Sequence, residues 1–199
     1  MERVNLSGWE YDDIERTATD LFEDLGLTKF PPNCFEIAAK LKIELKKYSE
    51  LSEEKREMMV SDYEDGYTTN TGKCKYTIYY NDKMDENRIR FTLWYEIGHI
   101  QLGHFDNCKK SQARMKAEAN HFAVFVQAPM PAVIMYEPFG KYDVKETFNV
   151  SLQCASNIYS NYIKLTNYPG LMERIKKHRI LDVLDFSKIL KGGAYEDCV

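Results

Sequence analysis

Glu96 and His99 stand three residues apart in a run that reads Phe91-Thr-Leu-Trp-Tyr-Glu-Ile-Gly-His-Ile-Gln-Leu-Gly-His104. On a helix, residues four apart share a face, so position 95 lies over His99. Were position 95 a histidine, the stretch would read H-E-x-x-H. In that pattern two imidazoles grip one metal ion and the carboxylate between them is the general base. Position 95 is Tyr95 instead. A phenol titrates near 10, so ionising it at pH 7 costs about 4 kcal/mol before a metal helps. The run therefore holds the base and one imidazole of a hydrolytic metal site, with a poor ligand at the other helical position.

Sites of this type that take a glutamate as third ligand place it on a following helix. A residue one turn later can hydrogen-bond a ligating histidine. The next helical stretch reads Met115-Lys-Ala-Glu-Ala-Asn-His-Phe-Ala123 and reaches Ala128-Pro129. Taken together, Arg90-Phe-Thr-Leu, Gly98-His-x-x-Leu-Gly-His, Glu118-Ala-Asn-x-Phe-Ala and Pro129, seven residues after Phe122, resemble the ImmA/IrrE metallopeptidase family over roughly residues 10 to 165. The resemblance implies a zinc-dependent, mostly helical peptidase domain with a small sheet beside the motif helix. It also implies a protein partner, since members inactivate a cognate transcriptional repressor, often by cleavage.

Carried over position by position, Glu96 matches the general base, His99 the second zinc histidine and Tyr95 the first. Asn120 matches the residue that supports a ligand. Members read Glu-x-Glu-Ala-Asn here, and the first glutamate, one turn before the asparagine, falls at Lys116. Glu118 lies about 200° from Lys116 at roughly 100° per residue. Two alignments stay open: Lys116 at the third-ligand position, or Glu118 as the ligand with Tyr95 the only departure. A lysine there brings a cation where a metal needs an electron pair, and its ammonium could instead pair with Glu96. The resemblance thus implies zinc in the family, and bound weakly or not at all by these residues.

Other chemistry-bearing residues have plainer readings. His104 and His121 read as loop or helix-surface histidines. Five scattered cysteines, with no C-x-x-C pair, point to reduced thiols in a cytoplasm. A net charge of −4 offers no general attraction to nucleic acid, and no apolar run is long enough to span a membrane. A helix-turn-helix pattern over 144–165 carries only Lys164 as a basic residue on its second helix, too few for phosphate contacts.

The elements that must position these residues emerge from periodicity. A helix from Asp12 or Asp13 to Leu25 has Ile14, Ala18, Leu21, Phe22 and Leu25 on one face. A short helix at 35–41 and a strand at 43–48 come next. Residues 49–74 read as a polar loop with one helical turn. The β-branched and aromatic stretch 75–80 is a strand, expected to be a sheet edge along which a partner segment pairs. Asp85 or Asn87 caps the motif helix, and Gly103 lies near its end. A helix over 112–127 is closed by Pro129 and Pro131. Beyond it lie the helical pair, a basic amphipathic stretch over 171–190 and a frayed tail over 192–199.

The expected architecture is α+β, with a peptidase-like domain over 10–165 and a helical extension over 166–199. The leading functional expectation is a degenerate peptidase of a bacterium, phage or mobile element that regulates by binding a repressor. The alternatives are an active zinc endopeptidase that cleaves a repressor, and a small-molecule sensor using the vacated cavity.

Overall fold

In this computed structural model, residues 4–72, 75–106 and 109–187 are described. The chain divides into two compact units, one made of residues up to 18 with 33–123, the other of 19–32 with residues from 124 onward. Helix α1 (Gly8–Asp24) contributes turns to both. It starts earlier than its apolar periodicity suggests, with Glu10 reaching back to Ser7 at its first turn. The Glu10 carboxylate accepts from the Ser7 backbone N–H at 2.8 Å and from its hydroxyl at 2.6 Å.

In the first unit, α2 (Cys34–Lys40) is capped by the Asn33 side chain and leads into β1 (Glu44–Lys47). A 3-10 turn (Tyr48–Glu50) and α3 (Glu53–Asp62) come next, then β2 (Gly66–Asn70) and β3 (Tyr76–Tyr80). The region expected to be a loop with one helical turn thus holds a ten-residue helix and a whole strand. The unexpected strand is Gly66-Tyr-Thr-Thr-Asn70, whose aromatic and β-branched side chains suit a pleated surface. It forms a hairpin with β3 through a turn in which Asn70 accepts from the Gly72 N–H.

The sheet order is β1-β3-β2, with β1 parallel and β2 antiparallel to β3. This corrects the expected edge: β3 is the central strand, and β2 is an edge. One sheet face stacks Tyr67 on Tyr79, with Lys46 over the Tyr79 ring. The other meets α4 (Glu86–Gln101), which Asp85 caps. Helix α4 buries Leu93, Trp94 and Ile97, while Ile89 and Ile100 are half-buried. Helix α5 (Gln112–Gln127) packs against it at a narrow point, where a Cβ on Gly98 would lie 3.0 Å from the Phe122 ring.

The second unit is helical: α6 (Met130–Tyr136), α7 (Lys141–Phe148), α8 (Leu152–Thr166), α9 (Pro169–Ile175) and α10 (Ile180–Val183). Pro129 and Pro131 do close α5, and they also open α6, since a first turn tolerates proline. Ser151 caps α8 as its sequence suggests. The stretch expected as one basic segment over 171–190 is broken into α9 and α10; its last residues, and the expected tail, lie outside the described residues. The unit's core gathers Phe30, Phe148 and Phe186. The whole is α+β and mostly helical, with its small sheet beside the motif helix, as expected. Among the described residues no helix is long and apolar enough to cross a membrane.

Candidate active-site cleft

Helix α4 turns Tyr95 and His99 toward a cleft of about 740 Å³ in the first unit. Its lining includes Tyr63, Tyr67 and Thr68 around β2, and Lys116 and Asn120 from α5. Lys116 and Asn120 are one turn apart and both exposed. The Tyr95 ring lies over Phe91 and meets His99 edge-on, with centroids 4.7 Å apart.

Glu96 is 7% exposed, and its carboxylate accepts from the Thr68 hydroxyl at 2.7 Å. Burial disfavours the charged form and pushes its pKa up to about 7, with Thr68 pulling the other way. A carboxyl poised there can take or give a proton near neutrality. The suggested Glu96–Lys116 ion pair is not formed: Glu96 has Thr68 as its partner instead. Burial first, then the neighbouring Glu96, pushes the Tyr95 phenol up to about 12. Ionising it at pH 7 therefore costs about 7 kcal/mol rather than about 4.

The turn that ends α4 gives His99 its closest partner. Gly103, at φ +67°, reverses the chain so that its own N–H bonds the Ile100 carbonyl and the His104 N–H bonds the His99 carbonyl at 3.0 Å. That is the Schellman pattern, which glycine favours because it takes the left-handed conformation without a side-chain clash. It brings the two imidazoles together, with Nδ1 of His104 2.8 Å from Nδ1 of His99. On its far side, Nε2 of His104 lies 2.8 Å from the Glu118 carboxylate, which is 2% exposed. Lys110 donates to the same carboxylate at 2.7 Å, and Arg114 lies 3.9 Å away. Arg114 also donates to Glu10. Burial, then His104 and Lys116, lowers the His99 pKa to about 4, so its ring is neutral at ordinary pH.

The expected site residues therefore separate into two groups. Tyr95, Glu96, His99, Lys116 and Asn120 line the cleft. Glu118 points inward and reaches His99 only through His104. Among the described residues no group of three or more His, Cys, Asp or Glu side chains is placed to hold a metal ion.

A family model described as the IrrE N-terminal-like domain (Peptidase_M78) matches residues 38–157, more than half of the chain. The chain belongs to this family. No curated protein and no solved structure matches it. The match runs from the end of α2 to the first part of α8, and so includes the sheet, the motif helix and the cleft of this IrrE-like chain.

Two contributors to the site do not emerge from the sequence reading. Thr68 sits on the unexpected strand, although Tyr67-Thr68-Thr69 before Asn70 and Gly72 is a hairpin signal. His104 reads as a loop histidine, yet a histidine directly after a helix-ending glycine falls next to the last turn, where His99 lies. His121, by contrast, pairs with Glu15 at 2.9 Å and does not line the cleft.

Proposed function

We propose that this IrrE-like chain is a regulatory protein that holds a protein partner in a peptidase-type cleft without cutting it. By family resemblance the partner is a transcriptional repressor. The observation that carries the proposal is the donor set facing the cleft. Tyr95 stands at the first-ligand position as a neutral phenol, and Lys116 stands at the third as an exposed cation. His99 is the one imidazole lining the cleft beside them that no acidic group engages. Zinc sites use three or four protein ligands, and these residues do not fit the ion. Glu118 is no substitute, because His104, Lys110 and Arg114 already occupy its carboxylate.

What a peptidase cleft retains without metal is its means of binding. A partner segment can add to a sheet edge by main-chain hydrogen bonds, with side-chain pockets setting preference. Edge strand β2 runs beside this cleft and contributes Gly66, Tyr67 and Thr68 to its lining. Tyr63 stacks on Tyr67 at 4.8 Å and extends the aromatic wall.

The rival is an active zinc endopeptidase, favoured by Glu96, whose pKa near 7 suits a general base. Co-purification with the repressor encoded beside the gene, with mass measurement of that repressor afterwards, separates the two. An intact repressor in a stable complex, weakened by Tyr67→Glu and kept by Glu96→Gln, supports binding. A single discrete cut that Glu96→Gln abolishes establishes the peptidase.

A further inference from the structure

The chain of contacts His99–His104–Glu118 runs inward from the cleft proposed above, and its geometry fixes where the protons sit. Ring nitrogens cannot be told apart as donor or acceptor by distance alone, so the partners must decide. Glu118 is 2% exposed and has Lys110 at 2.7 Å and Arg114 at 3.9 Å. The oxygen that meets His104, Oε2, also accepts from the Lys110 ammonium, which has only donors to offer, so it is an acceptor in this cluster. Nε2 of His104, 2.8 Å away, must then carry a proton. A second proton on His104 would put a positive charge on a side chain only 1% exposed, beside a carboxylate that Lys110 already engages. The ring is therefore neutral, and its Nδ1 bears a lone pair. The remaining contact, Nδ1 to Nδ1 at 2.8 Å, is a hydrogen bond only if His99 donates.

We propose that His104 is a positioning residue, held by Glu118, that locks His99 as its Nδ1–H tautomer and leaves Nε2 as a bare acceptor at the cleft. This is the reverse of the tautomer histidine favours in water. His99 lines the cleft, and its Nε2 has no hydrogen-bond partner among the described residues. An occupant would meet a fixed acceptor there, beside the Tyr95 phenol, and would be selected for an N–H or O–H group at that point. This last step rests on the cleft being the binding site; the tautomer lock does not.

The test is a two-bond ¹H–¹⁵N correlation spectrum of the full chain, ¹⁵N-labelled and chelator-treated, at pH 7.5. The sequence has four histidines, so the spectrum is simple to assign through the side chain to the backbone. The expected result is His99 protonated at Nδ1 and bare at Nε2, with His104 protonated at Nε2 and bare at Nδ1. His99 protonated at Nε2, or His104 protonated on both nitrogens, overturns the proposal. His104→Phe keeps the ring's bulk and removes the acceptor, so folded protein should show His99 reverting to Nε2–H. An unchanged His99 in that folded variant overturns the lock as well. Should His104→Phe not fold, the wild-type spectrum alone decides. A correct tautomer with no repressor complex would leave the lock standing and the binding role refuted.

Discussion

Glu96 is a carboxyl kept in the interior with one hydroxyl partner, and that has a measurable cost. Its pKa is raised to about 7 by burial, so the folded state favours the protonated form. The associated stability is fully present below the unfolded value near 4.5 and is lost as pH rises through 7. Glu96→Gln should therefore raise the unfolding free energy read from urea denaturation at pH 8, by at most about 3 kcal/mol, and change it little at pH 4. A destabilising effect at pH 8 would mean the carboxylate is better solvated than its 7% exposure implies. The neighbouring substitutions are expected to be reversible. Tyr95→His together with Lys116→Glu should create zinc binding, measured by titration with the metal, while either change alone should do far less. Full affinity from Tyr95→His alone would make Glu118 or another group the third ligand. At this scale much is legible in the sequence. Spacing alone places Tyr95, Glu96 and His99 on one helix, whereas His104 and Glu118 join them through a turn and a neighbouring helix that spacing does not describe.

The hairpin β2–β3 supplies the cleft wall, and its fit against α4 leaves no spare room. A Cβ on Gly66 would lie 2.7 Å from both the Thr92 methyl and the Tyr79 carbonyl oxygen. Gly66→Ala must move β2 off its partners, and with it Thr68, the hydroxyl that partners Glu96. The expected loss is at the upper end of the roughly 1–3 kcal/mol typical of overpacking, read from urea denaturation. Gly98→Ala meets Phe122 at 3.0–3.2 Å and should cost less, because a ring can shift where a carbonyl cannot. Equal losses would contradict this account of the two contacts. The helices are legible because their apolar positions recur with a helical period and Asp85 and Ser151 are good caps. Strand β2 is not, because Tyr67-Thr-Thr is short and polar, and its pairing partner settles its conformation. The same omission puts β3 at the sheet edge, since a strand with one missing neighbour looks like an edge. Thr77 on β3 is buried, so a charged substitution there would report on folding rather than on partner binding.

Across the first unit, charged groups tie the start of α1 to the site. Glu10 accepts from Ser7 just ahead of its own helix and from Arg114, which in turn flanks Glu118. The Ser7 hydrogen bonds, with Arg114 next, hold the Glu10 carboxyl well below the usual range, at about 2. Because that pKa is depressed, its contribution is present above about 4.5 and is lost as pH falls toward 2. Glu10→Gln should flatten the acid limb of the stability profile between those values, with little change in the alkaline limb; an unaltered acid limb would place that contribution elsewhere. At the scale of the whole molecule, the chain belongs to a peptidase family, and the proposal is that its cleft binds a partner and does not hydrolyse it. Zinc content per chain tests that most directly, measured by elemental analysis after dialysis at pH 7.5. The account predicts far less than one equivalent, rising toward one only in the Tyr95→His, Lys116→Glu variant, and close to one zinc in the unaltered protein would contradict it.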